Sequence, residues 1–216
     1  MHPLARLLRI VFHLLYHPFA WSYDLVAASV SLGRWQDWVR TVLPFIEGTR
    51  VLELGHGPGH LQRILLSRGL LVVGLDESRQ MGHIAKRRLF ESGYTKFNLS
   101  RGLAQSLPFP ADAFDTILST FPSNYIFDPS TLLEARRTLK NGGRFIVLPA
   151  AWIIGQKLME RYAAALFRVT GQAPSEPVEI ISKRLKQPFM EAGFDVEVEQ
   201  LEVKSSLVLI VVAKKK

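Results

Sequence analysis

From residue 50 onward, short apolar runs alternate with stretches of helical periodicity. The runs fall at 50–54, 71–76, 97–101, 114–119 and 144–148, and the helical stretches between them at about 59–68, 78–92 and 129–140. Alternation of this kind predicts βαβ units and a parallel sheet covered on both faces. Two helices precede it. In 3–17, Leu4, Leu7, Leu8, Val11, Leu14 and Leu15 share one face and His2, Arg6, Arg9, His13 and His17 the other, until Pro18 ends the pattern. A second helical stretch runs over 21–43 and ends at Pro44. After the fifth run come an amphipathic helix at 152–168, a loop punctuated by Pro174 and Pro177, and a helix at 178–192. Two last strands, 194–203 and 206–213, are separated by Lys204 and Ser205 alone. So short a connection forces an antiparallel hairpin, because a parallel return needs a long crossover. The sheet is therefore mostly parallel with one reversed strand.

The first strand runs into Glu53-Leu54-Gly55-His56-Gly57-Pro58-Gly59. Three alternate glycines between a strand and a helix let a ligand approach the backbone at the carboxyl end of the sheet. The dinucleotide fingerprint Gly-x-Gly-x-x-Gly is not met, since His60 stands where its third glycine belongs. A phosphate loop would need Gly-Lys-Ser/Thr, and Glu53 would repel a phosphate in contact with it. An acid beside a glycine turn suits a ligand with a cationic group. A plain tight turn leaves Glu53 unexplained. The second strand also ends in an acid, Asp76, 17 residues beyond Gly59. In nucleoside-binding sheets such an acid accepts hydrogen bonds from ribose hydroxyls.

Length and charge narrow the class. The 216 residues suit one domain. The absence of cysteine excludes disulfides, thiolate metal sites and cysteine nucleophiles. The six histidines are scattered without a carboxylate-backed pair, so no metal is expected. A net charge of +8 points to an anionic neighbour, such as a membrane surface. No apolar segment is long enough to span a bilayer, and Arg6 and Arg9 interrupt any signal-like N-terminus, so a cytoplasmic protein is expected.

Taken together, Glu53-x-Gly55-x-Gly57-x-Gly59 and Gly74-Leu75-Asp76-x-Ser78-x-x-Met81 resemble the class I S-adenosylmethionine-dependent methyltransferases. Leu107-Pro108-Phe109-Pro110, Phe114–Ser119 and Leu139-Lys140-Asn141-Gly142-Gly143 are similar to later signatures of that family, with Asn141 where the family has proline. Within it the chain looks most like the quinone-biosynthesis and small-molecule branch. The resemblance implies a three-layer α/β sandwich on a seven-stranded sheet of order 3-2-1-4-5-7-6 with strand 7 antiparallel. It divides the single domain into an N-terminal helical cap (1–44), a cofactor-binding core (45–150), a lid-like helix and loop (151–177) and a C-terminal helix and hairpin (178–216).

It also implies roles. The Gly55–Gly59 backbone packs against the methionyl and ribose parts of S-adenosylmethionine, with His56 inside the turn. Glu53 holds the ammonium, directly or through water. Asp76 binds the ribose hydroxyls, with Glu77 beside it. Met81 flanks the adenine or packs in the core. Ala104 and Gln105 lie at the adenine edge, and Ser119 and Thr120 face the sulfonium. The family usually has an acid at the position of Leu103, so Gln105 is left to supply an acceptor to the adenine amino group.

Methyl transfer from a sulfonium is an in-line displacement that needs alignment and dryness more than acid–base help. No general base stands out. Tyr125, His56 and Ser119 are the candidates for the acceptor pocket, His56 being pictured more readily facing solvent. The stretch Thr120-Phe121-Pro122-Ser123-Asn124-Tyr125 does not match the Asn/Asp-Pro-Pro-Tyr/Phe of amino-methylating enzymes, because Phe121 replaces the polar first residue. The apolar and basic faces of 3–17 and 152–168 suit a small hydrophobic acceptor, lipid- or quinone-like, and peripheral contact with an anionic membrane. Two other readings are a nucleic-acid methyltransferase, against which the spread of the lysines and arginines argues, and a non-catalytic protein that binds the same cofactor.

Overall fold

Neighbouring strand residues divide between two cores. Leu52, Ile117 and Phe145 are buried on one face of the sheet, and Val51, Leu118 and Ile146 on the other. This is the period of two that a pleated strand imposes, and apolar residues on both phases mean both faces are covered. The computed structural model describes residues 31–154 and 177–216. The helix expected at 3–17, residues 21–30 of the second, most of the helix expected at 152–168 and the loop at 173–176 lie outside the described residues.

The described elements are α1 (Trp35–Arg40), a 3-10 turn (Leu43–Phe45), β1 (Arg50–Leu54), α2 (His60–Ser67), β2 (Leu71–Asp76), α3 (Arg79–Glu91), β3 (Asn98–Arg101), β4 (Phe114–Thr120), a 3-10 turn (Asn124–Phe127), α4 (Pro129–Thr138), β5 (Leu139–Ile153), α5 (Val178–Glu191), β6 (Phe194–Val203) and β7 (Ser206–Lys215). The seven strands form one sheet in the order β3-β2-β1-β4-β5-β7-β6. β7 pairs antiparallel with both neighbours and every other pairing is parallel. The order and the reversed strand are those expected. Trp38 and Val39 of α1 and Leu61 and Leu65 of α2 fill the core on one face. Leu132 and Ala135 of α4 and Phe189 of α5 fill the other.

Three expectations need correction. The helical stretch over 21–43 is broken, since Leu32 and Gly33 take left-handed conformations (φ 50° and 77°) before α1 begins. The helix expected at 129–140 ends at Thr138, and Leu139 already pairs with Phe114. The Lys140–Gly143 stretch is therefore a bulge within β5, with Gly142 at φ 76°. Finally, Trp152 and Ile153 are not helical. They extend β5 and pair with Leu207 and Ser206, because β7 is long enough to receive them.

The hairpin between β6 and β7 fixes α1. Lys204 and Ser205 both have positive φ (46° and 59°), as a two-residue turn of this hand requires. Lys204 Nζ donates to Asp37 Oδ2 at 2.8 Å, and Arg34 donates to the Ser205 carbonyl at 3.4 Å. A C-terminal turn thereby holds the helix that carries Trp35 over the strand ends.

Candidate functional site

β1 lies between β2 and β4, so the chain leaves it in one direction and later returns on the other side. Open α/β sheets bind ligands at such a switch point, beyond the carboxyl ends of the strands. The glycine turn lies there. Gly55 continues the ladder by donating to the Leu75 carbonyl at 2.8 Å. Gly57 donates to Asp76 Oδ2 at 2.8 Å, and the other carboxylate oxygen accepts from Ser78 N at 2.8 Å. The acid at the end of β2 thus organises two turns at once. Each of its oxygens keeps a lone pair for a further donor.

The glycines serve different ends. Gly57 sits at φ 52°, and a Cβ there would meet no heavy atom of the described residues within 4 Å. A Cβ on Gly59 would lie 2.9 Å from the Ala85 Cβ, so Gly59 lets α2 pack against α3. Gly55 is closed by Tyr125, whose hydroxyl occupies the space a side chain would need.

A cleft opens at the turn. Glu53, the Gly55–Pro58 turn and His60 line it together with Trp35, Val39, Leu61 and Thr120. The lining thus combines an acid and polar groups with apolar side chains. Trp35 stacks on Phe121 with ring centroids 4.1 Å apart. Phe121 itself has φ 49°, an unfavourable conformation for a bulky residue, held by its N–H donating to the Leu148 carbonyl at 2.7 Å.

Glu53 is 2% exposed. It accepts from Gln62 Nε2 at 2.7 Å, and no ion pair among the described residues includes it. Burial pushes its carboxyl up to about 8, Gln62 opposes the shift and the Asp76 charge adds to it. At neutral pH without a cation beside it, Glu53 is therefore a neutral acid.

The remaining residues separate by burial. His56 is 4% exposed rather than solvent-facing. Its Nδ1 lies 2.8 Å from the Gly57 carbonyl oxygen, and burial lowers its pKa, which keeps the ring neutral. Ser119 donates to the Leu54 carbonyl at 2.8 Å and lies 3.3 Å from the Tyr125 hydroxyl, which donates to the same carbonyl at 3.3 Å. Both support the end of β1 from behind. Thr120, one residue along and so on the other side of β4, lines the cleft instead. Met81 has no exposed surface and lies in the core. Glu77 is exposed, Ala104 is buried, Gln105 is half-buried, and Leu103 is 50% exposed. The Leu107–Phe109 segment that follows is pinned by α4: Glu134 accepts from Leu107 N, and Arg137 donates to the Leu107 and Phe109 carbonyls.

Gln62, Trp35 and Val39 were not singled out from sequence. For Gln62 a signal existed, as a polar residue beside Leu61 and Leu65 on the buried side of α2. Trp35 and Val39 lie outside every motif, and only the tertiary fold brings α1 to the glycine turn.

Residues 52–147 match the model of a methyltransferase domain. Over these residues the chain is similar to methyltransferase domains. The chain is 33% identical over 147 residues to a demethylmenaquinone methyltransferase of Symbiobacterium thermophilum, covering 63% of the chain and 58% of that protein. It is 30% identical over 163 residues to a ubiquinone/menaquinone biosynthesis C-methyltransferase of Vibrio vulnificus, covering 71% of the chain and 62% of that protein. The matches thus span less than two thirds of either relative. Its fold is similar to that of a solved S-adenosylmethionine-dependent methyltransferase from Thermotoga maritima, with a TM-score of 0.62, 19% identity and coverage of 95% of this chain and 100% of that one.

Proposed function

We propose that this protein transfers the methyl group of S-adenosylmethionine to a small hydrophobic acceptor, lipid- or quinone-like, by in-line displacement. The observation that carries the reading is the composition of the cleft, which brings Glu53 and the glycine turn together with the apolar side chains of Trp35, Val39 and Leu61. When bound, the cofactor supplies an electrophilic methyl on a positively charged sulfur.

The chain's own residues then bind, orient and exclude water. Asp76 receives the ribose hydroxyls on the lone pairs that Gly57 and Ser78 leave free. Glu53 faces the ammonium, and the carbonyls and N–H groups of the Gly55–Gly59 turn border the chain between the two. Gln105, half-buried, offers the acceptor for the adenine amino group. Thr120 borders the reacting end. The stacked Trp35 and Phe121 give an acceptor a dry, flat surface. Such a wall suits the classes of acceptor named for the two quinone-biosynthesis relatives. No helix among the described residues is long and apolar enough to cross a membrane. The net charge of +8 and the basic amphipathic N-terminal sequence support peripheral contact with anionic lipid, where such acceptors reside.

The test is transfer of an isotope-labelled methyl group from S-adenosylmethionine with demethylated quinols, other apolar phenols and bulk nucleic acid supplied separately. Label is expected in the solvent-extractable fraction. Label confined to nucleic acid, or none with any acceptor despite cofactor binding, would overturn the reading.

A further inference from the structure

Glu53 and Gln62 form a buried polar pair under the cleft. Gln62 is 1% exposed, and its Nε2 donates to Glu53 Oε2 at 2.7 Å. Its Oε1 is buried with no hydrogen-bond partner among the described residues. A buried amide oxygen left unpaired is costly, and a half turn about the last side-chain bond exchanges donor for acceptor without changing shape. A neutral Glu53 can donate its O–H to that oxygen; an ionised one needs the N–H₂ instead. The space is tight. A Cβ on Gly74, the register partner of Glu53 on β2, would lie 2.9 Å from Gln62 Nε2 and 3.0 Å from His56 Cδ2, so the pair has no room to move away as a whole.

We propose that Gln62 is a positioning residue of the cofactor site, holding Glu53 through an amide that presents either its acceptor or its donor, so that uptake of a cationic amine goes with release of one proton. This rests on the reading that Glu53 faces the ammonium. The balance is simple. The amine keeps its charge, the carboxyl becomes a carboxylate, and the proton leaves to solvent. Among the described residues, other charged or titratable groups near Glu53 are few. Asp76 on β2 disfavours the carboxylate. His56 in the turn is held neutral by burial, and His60 of α2 lines the same cleft. The β4 register partner is Leu118, and α1 brings Trp35 and Val39, none of them ionisable.

The probe is S-adenosylhomocysteine, bound to the full chain by calorimetry from pH 6 to 9 in buffers of different ionisation enthalpy. Wild type should release close to one proton at pH 6 to 7, and its Kd should rise about tenfold per pH unit below the Glu53 midpoint. Gln62→Met removes the donor that steadies the carboxylate. It should weaken binding about tenfold at pH 7 and move the midpoint of the pH profile upward, whereas Glu53→Gln should bind weakly and release no proton. Gln62→Asn, which withdraws the amide by one methylene, should act as Gln62→Met does but less strongly, and serves if the methionine variant does not fold. In wild type, an infrared band of a protonated carboxyl should vanish on adding the ligand and be absent from Glu53→Gln. No proton release from wild type, or an unchanged midpoint in the Gln62 variants, overturns the inference while leaving the cofactor reading intact. No binding by wild type at any pH overturns the cofactor reading itself.

Discussion

Gly57 donates its backbone N–H to the Asp76 carboxylate across 2.8 Å, so the turn after β1 and the acid ending β2 are one structural unit. The glycine loop is shaped by the same side chain that is assigned to the ribose. On the proposed reading, binding and loop geometry are coupled through Asp76.

Asp76→Ala should lose both. Two backbone donors, Gly57 N and Ser78 N, would be left without their acceptor, at a cost of about 1–3 kcal/mol in stability. Affinity for S-adenosylhomocysteine should fall at least about tenfold, since hydrogen bonds to a charged acceptor are worth about 1.5–3 kcal/mol. Calorimetry and denaturant melts measure the two effects separately. Unchanged affinity would show that the ribose is held elsewhere.

Glu53→Gln should stabilise the unliganded protein in a pH-dependent way. The folded-state value of about 8 lies above the ordinary value of 4.5, so the folded protein keeps a proton that the unfolded chain has lost. Stability contributed by this group is complete below pH 4.5 and is lost as pH rises through about 8. The advantage of the variant should grow across that window, on the order of 1 kcal/mol per pH unit. Thermal melts at pH 5 and pH 8 test this, and a constant difference between the two would contradict the burial of an acid held without a cation.

Gly59→Ala should destabilise by about 2–3 kcal/mol. The residue has φ 82°, and the added Cβ would press on Ala85 at 2.9 Å. The paired change Ala85→Gly should recover the part due to crowding and leave the part due to the backbone. A denaturant series on the single and double variants separates the two.

Trp35→Ala should act on the acceptor side alone. It removes the ring stacked on Phe121, and kcat/KM for the hydrophobic acceptor should fall about tenfold or more, while the Kd for S-adenosylhomocysteine stays within about twofold. Equal losses in both would make Trp35 a cofactor contact instead.

Much of the fold could be read from the chain because its signals are local. β1 and β2 run over the expected residues, and the reversed hairpin follows from two residues, Lys204 and Ser205, between long strands. The glycine turn and its acids lie in two continuous segments. The states of individual side chains were less legible. His56 reads as a surface histidine in a turn, yet it is buried because α2 and β2 close over it at Gly74. Ser119 and Tyr125 read as pocket residues, yet both hydroxyls turn to the Leu54 carbonyl. The far end of β5 read as helix because Trp152 and Ile153 continue an apolar pattern that suits either state. Pairing with β7 decided between them.

By itself the sequence determined the order of strands and helices and the place of the glycine turn beside two acids, because these depend on periodicity, glycine spacing and residues adjacent along the chain. Only the tertiary structure decided that Glu53 is dry and paired with Gln62, that Thr120 rather than Ser119 reaches the cleft, and that Trp35 forms its wall. Burial, the phase of a strand and contacts between distant segments are properties of packing, and packing exists only once the chain has folded.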